Sequence, residues 1–400
     1  MLFAASVSPA AEDPALAKIH TLLAPMRTES LKVGPRGATP VLTNVKHQLR
    51  RWIESRLHEL PRPDDARALE AQLNAELRRA GLSCDWTSQH REKYCPDRGE
   101  PGFLGDVKLD LGEALIVTTE VGIVCGFDQS AYAYSWLNGR WTPFWQSETN
   151  EYIEDKYVPL NFLGILLSSQ DYENKESDAN VRLLLVLARD PAYCESNWYN
   201  VYYRVWQLRI DRPEKKLLLD GGEMAFLADW VDGSVTPNDV LFEYSTRTSY
   251  GGMNRRVIRH YVLREGKLER EAPLALGPRD FADEWISTDW AVSSQWTSEG
   301  VDASSLQPMH NKKNFEGGEY VRTNYCEKRP EHWQVGLDWT DFNGHEMVSR
   351  KQMYLLVRWL PPYRFSMTAV SDHPLPGCTW QDRTADEPRT LFPIHSDQTF

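Results

Sequence analysis

The sequence predicts a mainly β protein preceded by a small helical segment. Three observations carry that reading. Apolar residues recur at three- and four-residue steps in the first eighty or so positions. From about residue 100 the pattern changes to runs of β-branched and aromatic residues broken by turn signals. The chain also holds 15 Trp, 17 Tyr and 13 Phe, far more aromatic surface than a disordered chain carries.

The front segment spans residues 12–82. Asp13-Pro14 is an N-cap and first-turn pair, opening a short helix through Leu16, Ile19, Leu22 and Leu23. Pro25 ends it. Thr39-Pro40 repeats the start signal, and Leu42, Val45, Leu49, Trp52, Ile53, Leu57 and Leu60 form one apolar face over about 40–60. Pro61 and Pro63 stop that helix. A third begins near Asp64 or Asp65, carries Leu69, Leu73 and Leu77 on one stripe, and ends at Gly81. An exposed stripe at Leu42, Leu49 and Ile53 would mark an assembly surface.

The β-rich region spans 83–375. Ala114–Thr119 is a strand, Ser130–Trp136 another, and Asn138-Gly139 turns into Trp141–Gln146. Val181–Ala188, Val201–Ile210, Lys216–Leu219, Val240–Ser245 and Arg256–Leu263 follow. Arg212-Pro213-Glu214 and Glu265-Gly266 are turns among them. Gln352–Leu360 meets Pro361-Pro362 and returns as Tyr363–Val370. Residues 280–345 fit this rhythm poorly, and 298–320 reads as a long loop. Residues 376–400 read as an extended tail.

Closing turns near 139, 213, 266 and 361 suggest a loose repeat of apolar strand, second strand and hairpin. On these pieces the chain resembles the irregular β-propellers of exported bacterial proteins, at the level of architecture. The resemblance implies a propeller-like domain. A two-sheet β-sandwich is the alternative.

Charge divides the chain near residue 83. Residues 12–82 carry 12 Lys/Arg and 9 Asp/Glu, and the rest is strongly acidic within an overall balance of −12. That balance argues against a nucleic-acid binder. With a mean hydropathy of −0.53 and no long uncharged apolar run, the sequence predicts no membrane span. Residues 1–11, MLFAASVSPAA, read as a truncated signal segment without its positive start. The expected location is therefore periplasmic or secreted, with cytoplasmic as the alternative. Six cysteines suit an oxidising compartment, and Cys84 and Cys95 are close enough in sequence to close a small loop.

Motifs for phosphate loops, dinucleotide folds, HExxH metal sites and nucleophile elbows do not occur, so no cofactor or metal is expected. Asp341-Phe342-Asn343-Gly344 carries part of a calcium loop but reads better as a hairpin turn. Three carboxylates are candidates for acid–base chemistry. Asp128 lies between two strands, and Asp283 and Glu284 lie among tryptophans, where a raised pKa would suit a general acid. Trp141, Trp145, Trp285 and Trp290 are candidates for stacking on a ligand. Alternation places Trp141 and Trp145 on one strand face. The leading expectation is an exported binding or scaffold protein for carbohydrate or extended peptide. A two-carboxylate carbohydrate hydrolase and an assembly module working through the N-terminal helices are the alternatives.

Overall fold

The computed structural model describes residues 13–27, 39–59, 66–84, 100–123, 126–148, 152–153, 156–157, 161–170, 178–189, 198–226, 231–247, 254–310, 319–343, 346–361 and 363–379. The signal-like residues 1–11, Cys95 and the tail beyond Thr379 lie outside them. The chain forms two compact units, Met1–Glu223 and Met224–Phe400. The helical segment therefore belongs to a larger first unit.

Three helices open unit 1: α1 (Pro14–Leu23), α2 (Thr39–Glu59) and α3 (Ala66–Arg79). Asp13 caps α1 by accepting from the Ala15 amide at 2.8 Å. The end of α3 is closed at Gly81, where the Gly81 amide donates to Arg78 and the Leu82 amide to Leu77. Arg56 of α2 ties the three together, reaching Asp13 at the start of α1, Glu76 of α3 and its own neighbour Glu59.

Two sheets follow in the same unit. The first holds β1 (Lys108–Leu111), β2 (Leu115–Ile123), β3 (Gly126–Leu137) and β4 (Arg140–Ser147), in chain order. A small hairpin, β5 (Tyr152–Ile153) and β6 (Lys156–Tyr157), comes next. The second sheet holds β7 (Asn161–Leu167), β8 (Val181–Arg189), β9 (Trp198–Arg209) and β10 (Lys215–Phe226), again as a meander.

Strand alternation gives the first sheet two apolar faces. Leu115, Val117, Val121, Tyr132 and Tyr134 join Leu42, Leu49, Trp52, Ile53, Leu73 and Leu77 of the helices in one core. The opposite face, with Ile116, Ala131 and Ala133, packs on Ile165, Leu184, Val186 and Leu208 of the second sheet. The stripe at Leu42, Leu49 and Ile53 is thus covered from within the chain. Polar side chains of α3 finish the docking: Asn74 exchanges two 2.8 Å hydrogen bonds with the Val107 backbone, and Glu70 accepts from the Leu109 amide.

Unit 2 repeats the meander twice. Its first sheet is β11 (Val231–Val235), β12 (Asp239–Arg247), β13 (Asn254–Arg264) and β14 (Lys267–Arg270). Short helices α4 (Pro278–Ser287), α5 (Trp290–Ser293) and α6 (Gln307–His310) follow. The last sheet holds β15 (Glu319–Cys326), β16 (His332–Asn343), β17 (Glu346–Leu360), β18 (Arg364–Ser371) and β19 (Cys378–Thr379), in the order β18-β17-β16-β15-β19. Phe281, Trp285 and Ile286 of α4 pack on Val335, Leu337, Leu355, Val357 and Met367 of this sheet.

The turn signals at 138–139 and 265–266 sit in two-residue hairpins. Asn138 and Gly139 have φ of 50° and 78°, Glu265 and Gly266 have 50° and 74°, and both turns match the right-handed strand twist. Asn343 pairs with Glu346 at the close of the β16–β17 hairpin, which supports the turn reading of that segment over the calcium loop. Residues 278–310 depart from the sequence expectation. Gly277-Pro278 starts a helix there, with Pro at the first position and Asp280 in the first turn. A disulfide joins Cys326 to Cys378, and Cys84 is also disulfide-bonded.

Gly122 in β2 meets the loop before β1 so closely that a Cβ there would lie 2.2 Å from the Glu100 carbonyl oxygen. Gly112 has open space around its Cβ position. Gly122→Ala is expected to destabilise the protein by about 1–3 kcal/mol, the usual cost of forcing atoms into a packed site. Gly112→Ala is expected to leave the unfolding midpoint nearly unchanged, as denaturant melts of both variants would show.

Candidate functional site

Asp128 sits on the helix-facing side of β3, fully buried, with its carboxylate 2.5 Å from Lys46 Nζ of α2. Lys46 is itself 1% exposed. Around the pair lie Thr119 and Ser130, which face each other across β2 and β3, and Tyr132, two residues on. Arg50 and His47 of α2 hold Glu148 beyond the end of β4. Lys46 escaped the sequence reading. The available signal was its place on the apolar stripe of α2, between Val45 and Leu49. A cation on such a stripe calls for a buried acid opposite it.

Asp283 and Glu284 lie on the side of α4 turned to the β11–β14 sheet. Arg255 and Arg259 alternate onto one face of β13, and Arg270 of β14 is in register with Tyr261 on that same face. Arg255 donates to both Asp283 and Glu284, and Arg259 and Arg270 each donate to Glu284. Burial by itself pushes the Glu284 carboxyl up. The charges of Arg259, Arg255 and Arg270 outweigh that and hold it at about 2, against an ordinary 4.5. The expectation of a raised pKa beside tryptophan is reversed at this residue, because three guanidiniums face it.

Three of the four named tryptophans are buried in apolar cores. Trp141, Trp145 and Trp285 are at most 4% exposed, and Trp290 is half-buried. Trp285 meets Trp290 edge-on at 6.1 Å and the His310 ring at 4.8 Å. Trp141 and Trp145 do not share a face. A bulge in β4 sets Pro143 and Trp145 opposite the consecutive residues Tyr134 and Ala133, which sends Trp141 into the helix-side core and Trp145 into the other. Alternation alone misses this because one extra residue inverts the parity of every position beyond it.

A further carboxylate stands out. Glu243 of β12 is fully buried, opposite Asp232 of β11 and 3.5 Å from Arg256. Burial pushes its carboxyl up to about 7 against the opposing charge of Arg256, and Asp232 adds to the rise.

Exposed apolar surface collects elsewhere. Among the described residues the large hydrophobic side chains more than about a third exposed are Leu217, Trp359 and Leu360. Trp359 and Leu360 are consecutive and end β17. At that end of the last sheet, Tyr325 and Trp333 are half-buried, with ring centroids 5.2 Å apart. The Trp359 amide donates to Glu331, in the turn between β15 and β16. The Cys326–Cys378 disulfide and the pairing of β15 with β19 fix the adjoining edge. Trp359-Leu360 before Pro361-Pro362 was a readable sign of aromatic surface at a hairpin end.

No protein-family model matches the chain. A search of curated proteins also finds no match.

Two pH responses follow from these carboxylates. Between pH 4.5 and 2 the unfolded chain holds a proton at Glu284 that the folded chain does not, so stability falls as pH drops through that window. At neutral pH, Glu284→Gln is expected to cost about 3–5 kcal/mol, because three guanidiniums lose their shared charge partner. Acid melts of this variant would lack the Glu284 part of the slope. Glu243 works in the opposite sense: the folded state keeps a proton up to about pH 7, so stability falls as pH rises from 4.5 through 7. Glu243→Gln is expected to be more stable than the parent at pH 8 by about 3 kcal/mol and nearly equal to it at pH 4. Equal midpoints at both pH values would refute that assignment.

Proposed function

We propose that the chain is an exported binding protein whose four sheets form an irregular propeller-like array, and that it recognises carbohydrate or extended peptide. Four consecutive antiparallel meanders support the architectural part. The Cys326–Cys378 disulfide supports an oxidising compartment. No described helix is long and apolar enough to cross a membrane.

The observation that carries the binding reading is Trp359, exposed at the end of β17, at the same end of the sheet as the Tyr325–Trp333 ring pair and the Cys326–Cys378 disulfide. Exposed aromatic surface on a rigid sheet end offers area at little ordering cost. The hydrolase reading draws no support from the named carboxylates. Asp128, Asp283 and Glu284 are each buried in ion pairs, and Glu284 stays ionised across the range in which a general acid must hold a proton.

A panel of polysaccharides and peptides tests the proposal, with intrinsic fluorescence reporting binding and new reducing ends reporting turnover. Saturable fluorescence change without product is expected. Trp359→Ala is expected to weaken the response at least ~tenfold, the effect of losing an aromatic anchor. Undiminished binding in this variant would move the site elsewhere, and released product would replace the binding role with an enzymatic one.

A further inference from the structure

We infer that Lys46 and Asp128 are a site of covalent modification, where the folded chain joins its own side chains by an amide bond between Lys46 Nζ and Asp128 Cγ. The bond ties α2 to β3 within the first unit. It is independent of the binding role proposed above.

Contact and burial carry the inference. Nζ lies 2.5 Å from a carboxylate oxygen of Asp128, and the two side chains are 1% and 0% exposed. Leu42, Val45 and Leu49 flank Lys46 on α2, and Val121 stands opposite Asp128 on β2; all four belong to the helix-side core. In water an amine and a carboxyl persist as separate ions, because hydration holds each charge and dilution keeps the partners apart. The fold removes both obstacles. Burial strips the hydration that favours the charged forms. Groups held in reactive contact behave as though at effective concentrations of about 10⁵–10⁸ M. Bulk water, which would reverse the step, is excluded from both side chains.

The chemistry of the partner singles out this pair. The buried carboxylates Asp283, Glu284 and Glu243 face Arg255, Arg259, Arg270 and Arg256. A guanidinium keeps its proton, whereas a lysine amine can give its proton up and attack. Thr119 and Ser130 lie on the same side of the sheet as Asp128. The Thr119 hydroxyl has no hydrogen-bond partner among the described residues, so it is free to donate to an oxygen that gains charge.

The step balances without a further reagent. One proton passes from Nζ to the carboxylate, which leaves a neutral amine against a neutral carboxyl. The Nζ lone pair then attacks Cγ. One carboxyl oxygen departs as water, carrying the transferred proton and a second one from Nζ. Ammonium and carboxylate thus become one amide and one water, and no oxidant, metal or second protein is consumed.

Peptide mapping of the purified full chain tests this. The folded protein is held at neutral pH, then unfolded, reduced, alkylated and digested with trypsin. A joined peptide is expected, residues 37–50 linked to residues 109–140, lighter by one water than the two segments together. Fragmentation is expected to place the bond at Lys46 and Asp128. Lys46→Arg and Asp128→Ala are each expected to lack the joined peptide. The decisive reading comes from the parent chain, so misfolding of either variant does not affect it. Complete cleavage after Lys46, with residues 109–140 recovered unlinked, would overturn the inference. A bond from Lys46 to another carboxyl, or a joined peptide that persists in Asp128→Ala, would overturn it as well.

Discussion

The second unit depends on the carboxylate of Glu284. Three guanidiniums from two strands converge on one helix side chain. Each of these charges would be costly if buried alone. Together they are mutually compensating, and Asp283 takes the remaining reach of Arg255. The result fixes α4 on the β11–β14 sheet through its acidic side. Its aromatic side, with Phe281 stacked on Phe365 at 5.9 Å, fixes it on the last sheet. A ten-residue helix thereby joins two meanders, one by ions and one by packing. Replacing the ionic side with apolar residues would keep adhesion but lose the directional match that sets which helix turn meets which strand.

Much of the local structure was legible because it depends on near neighbours. Asp13-Pro14, Asn138-Gly139 and Glu265-Gly266 act within two or three residues, and each appears where its chemistry places it. The apolar stripes of α2 and α3 were equally readable. What lay beyond reach depended on partners distant in the chain. Lys46 is separated from Asp128 by more than eighty positions, and its place on the apolar stripe calls for a buried acid without saying which one. Glu284 read as a candidate acid because its tryptophan neighbours were adjacent in sequence, whereas its arginines arrive through strand pairing.

The tryptophans teach a related lesson. A residue count shows how much aromatic area a chain has, but not which side of a strand receives it. One bulge in β4 is enough to separate Trp141 from Trp145. Exposure, by contrast, follows position along an element. Trp359 stands at the last turn of a fifteen-residue strand, and a strand end is where a sheet runs out of neighbours to cover its side chains.

The burial of the first sheet between helices and the second sheet bears on how the protein is made. Helices α1–α3 leave the ribosome before β2 and β3, and although they pack partly on one another, the core they share with that sheet is completed only when those strands have emerged. During that interval the nascent segment presents Leu42, Leu49, Trp52 and Leu73 to whatever is near. Completion of the first meander is the step that covers it.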